Sequence, residues 1–193
     1  MTITRSSAPV FVAGLERSGT SLMFALLASH PDLAMTRRTN LWTHFYRQYG
    51  DLSEPANLDR CLATMSRYRR IVKLEPDVER LRRDFIGGDD HTYATLFALL
   101  EQQYADRIGR RRWGDKSLHT ERYADPILAA YPDARILHMI RDPRDRYASS
   151  QTRWQRRRGG IGAGTAEWLA SNFISGPKHL PVRFTPATRV ARA

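Results

Sequence analysis

The sequence predicts an α/β fold of three layers, a central parallel sheet flanked by helices. Two runs, "VFVA" at residues 10–13 and "ARILHMI" at 134–140, are short and largely apolar, the pattern of strands covered on both faces. Around them apolar residues recur at helical spacing, and strands alternating with helices argue a parallel sheet. The joint after the first run is the third observation. There "GLERSGTS" passes straight into a helical pattern, giving the order strand, glycine-bounded loop, helix.

The first helix is expected on Leu22, Met23, Leu26 and Leu27, closing at Pro31 and Asp32. Residues 36–57, with Arg37, Arg38, Trp42, His44, Phe45 and Tyr46, show weak periodicity and read as a partly helical connection facing a ligand. Three amphipathic helices follow, on Leu58, Cys61, Leu62 and Met65, on Val78, Leu81 and Phe85, and on Tyr93, Leu96, Phe97, Leu100, Tyr104 and Ile108. "RRWGDKSLH" reads as a short strand ending in a loop at Lys116, followed by a helix over about 121–130. After the run 134–140, "RDPRD" opens a helix from Pro143, a residue suited to a first turn. "RRRGGIGAG", residues 156–164, reads as a basic flexible loop, with one more helix around 165–173 and an irregular tail at 177–193. At 193 residues one domain, 1–193, is expected.

The net charge is +11. It suits nucleic acid, an anionic surface, a polyanionic small ligand or a merely solvated basic surface. The single cysteine, Cys61, excludes an internal disulfide and a cysteine-rich zinc site. No run approaches the roughly 18 apolar residues of a membrane span, and residues 1–8 lack a signal peptide's apolar centre, so a cytoplasmic protein is expected.

From Gly14 to Gly19 the spacing is that of the phosphate loop G-x-x-x-x-G-K-[ST], but Thr20 stands where the lysine belongs and Arg17 lies inside the loop. A glycine-bounded turn entering a helix aims the N–H groups of Ser18, Gly19, Thr20 and Ser21 at one point, a place for an anion. The bland alternative is an ordinary turn whose Ser18 or Thr20 caps the helix. Triphosphate enzymes neutralise their phosphates with the loop lysine and magnesium. Transfer of a formally neutral sulfuryl leaves mainly the departing phosphate to be stabilised, so a metal is dispensable. Backbone N–H groups and one arginine can hold a 5'-phosphate, and a second cationic cluster a 3'-phosphate. Arg141 directly follows the second apolar run, and Ser149 lies about two helical turns further on.

Residues 9–35, "PVFVAGLERSGTSLMFALLASHPDLAM", and 134–150, "ARILHMIRDPRDRYASS", resemble the two nucleotide-binding motifs of the sulfotransferases that use 3'-phosphoadenosine-5'-phosphosulfate (PAPS). The likeness is to bacterial members and tyrosylprotein sulfotransferases, and it extends from residue 9 to about 173. It implies a P-loop-like fold and transfer of a sulfuryl group from PAPS to a hydroxyl or amine, leaving 3'-phosphoadenosine-5'-phosphate (PAP). The acceptor would be a small molecule or carbohydrate, with no metal required and nucleic acid not expected as a partner. Position by position, the resemblance puts Arg17 where cytosolic members grip the bridging oxygen and 5'-phosphate with a lysine. Ser18, Gly19, Thr20 and Ser21 would cradle that phosphate, Arg141 and Ser149 would bind the 3'-phosphate, and Lys116 in "GDKS" would stand near the transferred sulfuryl.

The sequence departs from this pattern at the base. Tyrosylprotein-type relatives carry a glutamate shortly after the "HPD" turn, whereas here Arg37 and Arg38 stand there, and arginine offers only donors. Cytosolic members place a histidine two residues after a lysine; His119 comes three after Lys116. His119, Glu16 and His44 are the candidates, and the base stays unassigned. Family members also continue through a further strand and helices, so the expectation is a domain lacking its usual C-terminal portion, with weak or absent turnover. Two other classes stay open. One is a P-loop kinase or NTPase-like enzyme, which the missing lysine disfavours. The other is a non-catalytic nucleotide or nucleic-acid binder, which the charge and Trp42, Tyr46, Trp113 and Trp154 would serve.

Overall fold

A computed structural model describes residues 8–157, with side chains described as far as Gln151. The chain divides between Asp142 and Pro143 into two compact units. The first contains four strands, β1 (Val10–Gly14), β2 (Leu33–Arg37), β3 (Arg112–Lys116) and β4 (Arg135–Met139), all parallel in the order β2-β3-β1-β4. β1 is buried at all five positions, as an interior strand covered on both faces must be.

The strand period of two sends alternate residues of β1 to opposite layers. Val10 and Val12 join Leu33 and Met35 beneath Met23, Phe24 and Leu27 of α1 (Thr20–Ala28). Phe11 faces the other way. Its ring lies edge-on to Trp113 at 5.8 Å and stacks with Tyr131 at 6.2 Å. The second layer is built from α2 (Pro55–Met65), α3 (Arg69–Val72), α4 (Val78–Ile86), α5 (Tyr93–Arg107) and α6 (Ala124–Ala130). Pro55 opens α2, the Asp77 carboxylate accepts the Arg80 N–H to cap α4, and the Thr92 hydroxyl accepts the Thr95 N–H to cap α5. The expected stripes are buried at Leu58, Cys61, Leu62 and Met65, at Leu81 and Phe85, and at Tyr93, Leu96, Phe97 and Leu100; Val78 and Tyr104 are partly buried, while Ile108, past the end of α5, is exposed. In the second unit the helix expected from Pro143 is α7 (Pro143–Arg157).

Several expectations change. β2 is an addition: no element is expected over residues 33–35, and Thr36 and Arg37 fall in the expected connection; four of its five positions are buried. The connection holds a π-helical turn, Leu41–Phe45, closed by the Tyr46 N–H donating to the Leu41 carbonyl at 3.0 Å. The helix expected over 121–130 begins as a 3-10 turn, Thr120–Tyr123, before α6. On α1 it is Met23, Phe24 and Leu27 that pack, while Leu22 and Leu26 are exposed. β4 is half-buried rather than sealed, because it is an edge strand of the described sheet. The helix at 165–173, the tail at 177–193 and most of the loop at 156–164 lie outside the described residues. Among the described residues no helix is long and apolar enough to cross a membrane.

Candidate active site

β1 leads into α1 on one face of the sheet, whereas β3 leads towards α6, whose Ile127 belongs to the core of the opposite face. The chain therefore diverges above two neighbouring strands. Open parallel sheets bind ligands in the crevice such a divergence leaves at the carboxyl ends.

The loop above β1 is shaped by backbone. At Gly14 (φ 121°) an added Cβ would stand 2.5 Å from the Met139 carbonyl oxygen of β4, so only glycine lets these strands approach. Arg17 (φ 67°) and Gly19 (φ 90°) then turn the chain into α1. No side chain caps that helix and its first turn has no acidic residue, so the cap by Ser18 or Thr20 entertained above is not made. The first-turn N–H groups thus present an uncapped, electropositive end beside the exposed Arg17. Arg141, just beyond β4, donates from Nη1 to the Arg17 carbonyl at 3.2 Å. Ser149 lies on α7, in the second unit.

The loop is anchored from a distance. Glu121 Oε2 accepts the Gly14 N–H at 3.0 Å, and Glu121 Oε1 lies 3.8 Å from His119 Nδ1. His119 is partly buried and its backbone is left-handed (φ 65°). Arg17, Arg38, Asn40 and His119 all take this disfavoured conformation just after the ends of β1, β2 and β3. Such strain gathers where surrounding structure forces it, characteristically at functional edges. The sequence offered no local sign of Glu121.

Lys116 closes β3 and is 2% exposed. Burial, helped by Arg37 and Arg38, pushes its ammonium down to about 8, with Asp115 pulling the other way. The Arg38 N–H donates to the Lys116 carbonyl at 2.8 Å. Arg37 reaches the loop helix, with Nη2 at 3.4 Å from Ser21 Oγ and its guanidinium 5.6 Å from the Phe24 ring centre. The two arginines standing where a glutamate was sought therefore border the lysine and the loop. Of the other base candidates, Glu16 is exposed, and His44 lies on the π-helical turn against Thr43 and Tyr68.

A parallel sheet with a glycine-bounded, lysine-free loop and a buried lysine on the adjacent strand defines a P-loop-like α/β protein. The chain belongs to the sulfotransferase family, whose model matches residues 9–172. Protein-tyrosine sulfotransferase A of Caenorhabditis elegans is 26% identical over 140 residues. That match covers 72% of this chain and 32% of the nematode protein, so the chain spans about a third of that relative's length.

Proposed function

We propose that the protein moves a sulfuryl group from PAPS to a hydroxyl or amine without a metal. The acceptor would be a small molecule or carbohydrate, and the name of the nematode relative adds a tyrosyl hydroxyl to the acceptors worth testing. The residues fit such a donor: an uncapped helix end with no acidic residue in its first turn, rimmed by arginine. When bound, PAPS supplies a sulfuryl whose departure leaves charge on the 5'-phosphate. The N–H groups of Ser18, Gly19, Thr20 and Ser21 and the Arg17 guanidinium take that phosphate. Arg141 takes the 3'-phosphate, the group that the resemblance also assigns to Ser149.

Lys116, an ammonium below about pH 8, donates to the charge that develops on the departing oxygen. His119 is the base, accepting the acceptor's proton at Nε2. Glu121, 3.8 Å from Nδ1, attracts the imidazolium that results. Arginine offers no lone pair for that task, which leaves Arg37 and Arg38 to hold anionic groups of donor or acceptor.

The observation that carries this reading is the contact of Arg141 with the Arg17 carbonyl, which sets a cation from just beyond β4 on the rim of the β1 loop. Calorimetry with a chelator present tests it. PAP is expected to bind more tightly than ADP, because only PAP offers a 3'-phosphate. Equal affinities would remove the 3'-phosphate assignment, and binding of ATP that needs magnesium would favour an NTPase-like enzyme.

A further inference from the structure

Beneath the site, two buried carboxyl groups meet one hydroxyl. Thr36 Oγ1 of β2 lies 2.9 Å from Glu101 Oε1 of α5, 2.9 Å from Asp115 Oδ1 of β3 and 3.3 Å from the Gly114 carbonyl oxygen. Glu101 is fully buried, and Asp115 is 3% exposed. A threonine hydroxyl has one proton to give. It can satisfy one carboxylate at 2.9 Å, so the other short contact needs a proton from the second carboxyl group.

The surroundings decide which group carries it. Burial raises Asp115 above the usual carboxylate range, but hydrogen bonds from the Ser117 side chain, Thr36 and the Thr39 backbone N–H pull it back, and Ser117 Oγ itself accepts the Asn40 N–H at 3.0 Å. Donors of this kind favour the ionised form. Glu101 Oε2 is buried with no hydrogen-bond partner among the described residues, a position where a full negative charge would be costly and a neutral carbonyl oxygen much less so. Burial, reinforced by the charge of Asp115, holds Glu101 well above the usual carboxylate range. Among the described residues the charged groups acting on Lys116 are Arg37 at the end of β2, Arg38 just after it and Asp115 from its own strand, so Asp115 is the anion set against burial and two cations.

We propose that Glu101, Thr36 and Asp115 form a directed relay, in which a neutral Glu101 donates to Thr36 and Thr36 donates to an ionised Asp115, holding that anion beside Lys116. Glu101 and Thr36 are then positioning residues that act through Asp115. They keep Lys116 charged and fixed at the strand end. The catalytic value of that arrangement rests on the role given to Lys116 above; the relay itself does not, and its test needs no turnover.

The test uses the full chain with isotope-labelled lysine. Lys116 is assigned by the signal lost in Lys116→Arg and titrated by NMR, and infrared spectra are recorded at neutral pH. Wild type should show a protonated-carboxyl stretch that disappears in Glu101→Gln. That amide still donates to Thr36, so the Lys116 midpoint should stay where it is in wild type. Asp115→Asn should lower the midpoint, by less than burial does, because Asp115 is the weakest of the influences on Lys116. Thr36→Val should lower it by less, and Thr36→Ser should restore it. The proposal is overturned if folded wild type lacks the carboxyl band, or if Glu101→Gln lowers the midpoint as far as Asp115→Asn, as loss of a second anion would. Should Asp115→Asn fail to fold, the band and the Glu101→Gln titration decide by themselves.

Discussion

The loop above β1 and the end of β3 carry the site's positive charge in opposite ways. Arg17 and Arg141 are exposed, placed by backbone turns and by one contact between them. Lys116 is sealed, and its charge is set against burial by groups drawn from β2, β3 and α5. An exposed guanidinium keeps its hydration until a ligand arrives, so a local turn suffices to install it. A buried ammonium has surrendered that hydration, so the protein interior must supply the compensating charge and donors. The rim should therefore govern binding of the nucleotide, and the sealed end the chemical step.

The largest effect expected is on turnover. Lys116→Ala should lower the rate of sulfuryl transfer about 100- to 1,000-fold, the size of losing one preorganised donor, with little change in PAP affinity measured by calorimetry. In wild type the rate should fall as pH rises through about 8, because the ammonium is the active form and is lost there. A Lys116→Ala protein that loses more PAP affinity than Arg141→Ala would erase the distinction between the two ends. Next, Arg141→Ala should weaken PAP about 10- to 100-fold and leave ADP nearly untouched, the range for charge-assisted hydrogen bonds. Arg17→Ala should weaken both ligands, since both present a 5'-phosphate; unchanged ADP binding would mean that Arg17 does not serve the loop.

A smaller effect should appear in stability. Glu101 keeps its proton in the folded chain, while the unfolded chain releases it above the ordinary value of 4.5. The native state then binds more protons, so this group makes the fold less stable as pH rises above that value, by at most about 1.4 kcal/mol per pH unit. Glu101→Gln should therefore gain stability relative to wild type as pH rises from 4.5 towards neutrality, read from denaturant unfolding curves. A pH-independent difference would show that Glu101 is ionised in the native protein. The smallest effect belongs to the exposed pair of Arg82 on α4 with Asp59 on α2, 2.8 Å apart. Arg82→Ala should leave the melting temperature unchanged within error.

The rim was legible in the sequence because its signals are local. Gly14, Arg17 and Gly19 announce a turn by spacing alone, and Arg141 follows an apolar run with a helix-opening proline two residues on. Where burial depends on partners, the sequence said less. β2 was hidden because "LAMTR" is short and ends in polar residues, yet Thr36 is 2% exposed, sunk between Glu101 and Asp115. Glu121 gives no local hint that it accepts a hydrogen bond from Gly14. Glu101 did leave a trace. It lies four residues after Phe97, on the apolar face of α5, where a carboxyl group has no ordinary reason to be. Lys116 was found through its resemblance to family members; its burial came from the fold.

The contact between Glu121 and the Gly14 N–H spans 107 positions of chain. It makes the loop above β1 a poor candidate for transplantation. A designer who cuts out residues 9–31 and splices them between a strand and a helix of another α/β scaffold carries over every glycine and the arginine, but leaves behind the acceptor that pins the loop's first amide. In the new host that amide would seek water or a neighbouring carbonyl, and the turn would be free to settle elsewhere. To move the binding site, the graft must bring the 3-10 turn Thr120–Tyr123 with it, or find in its host a carboxylate already waiting above the first strand.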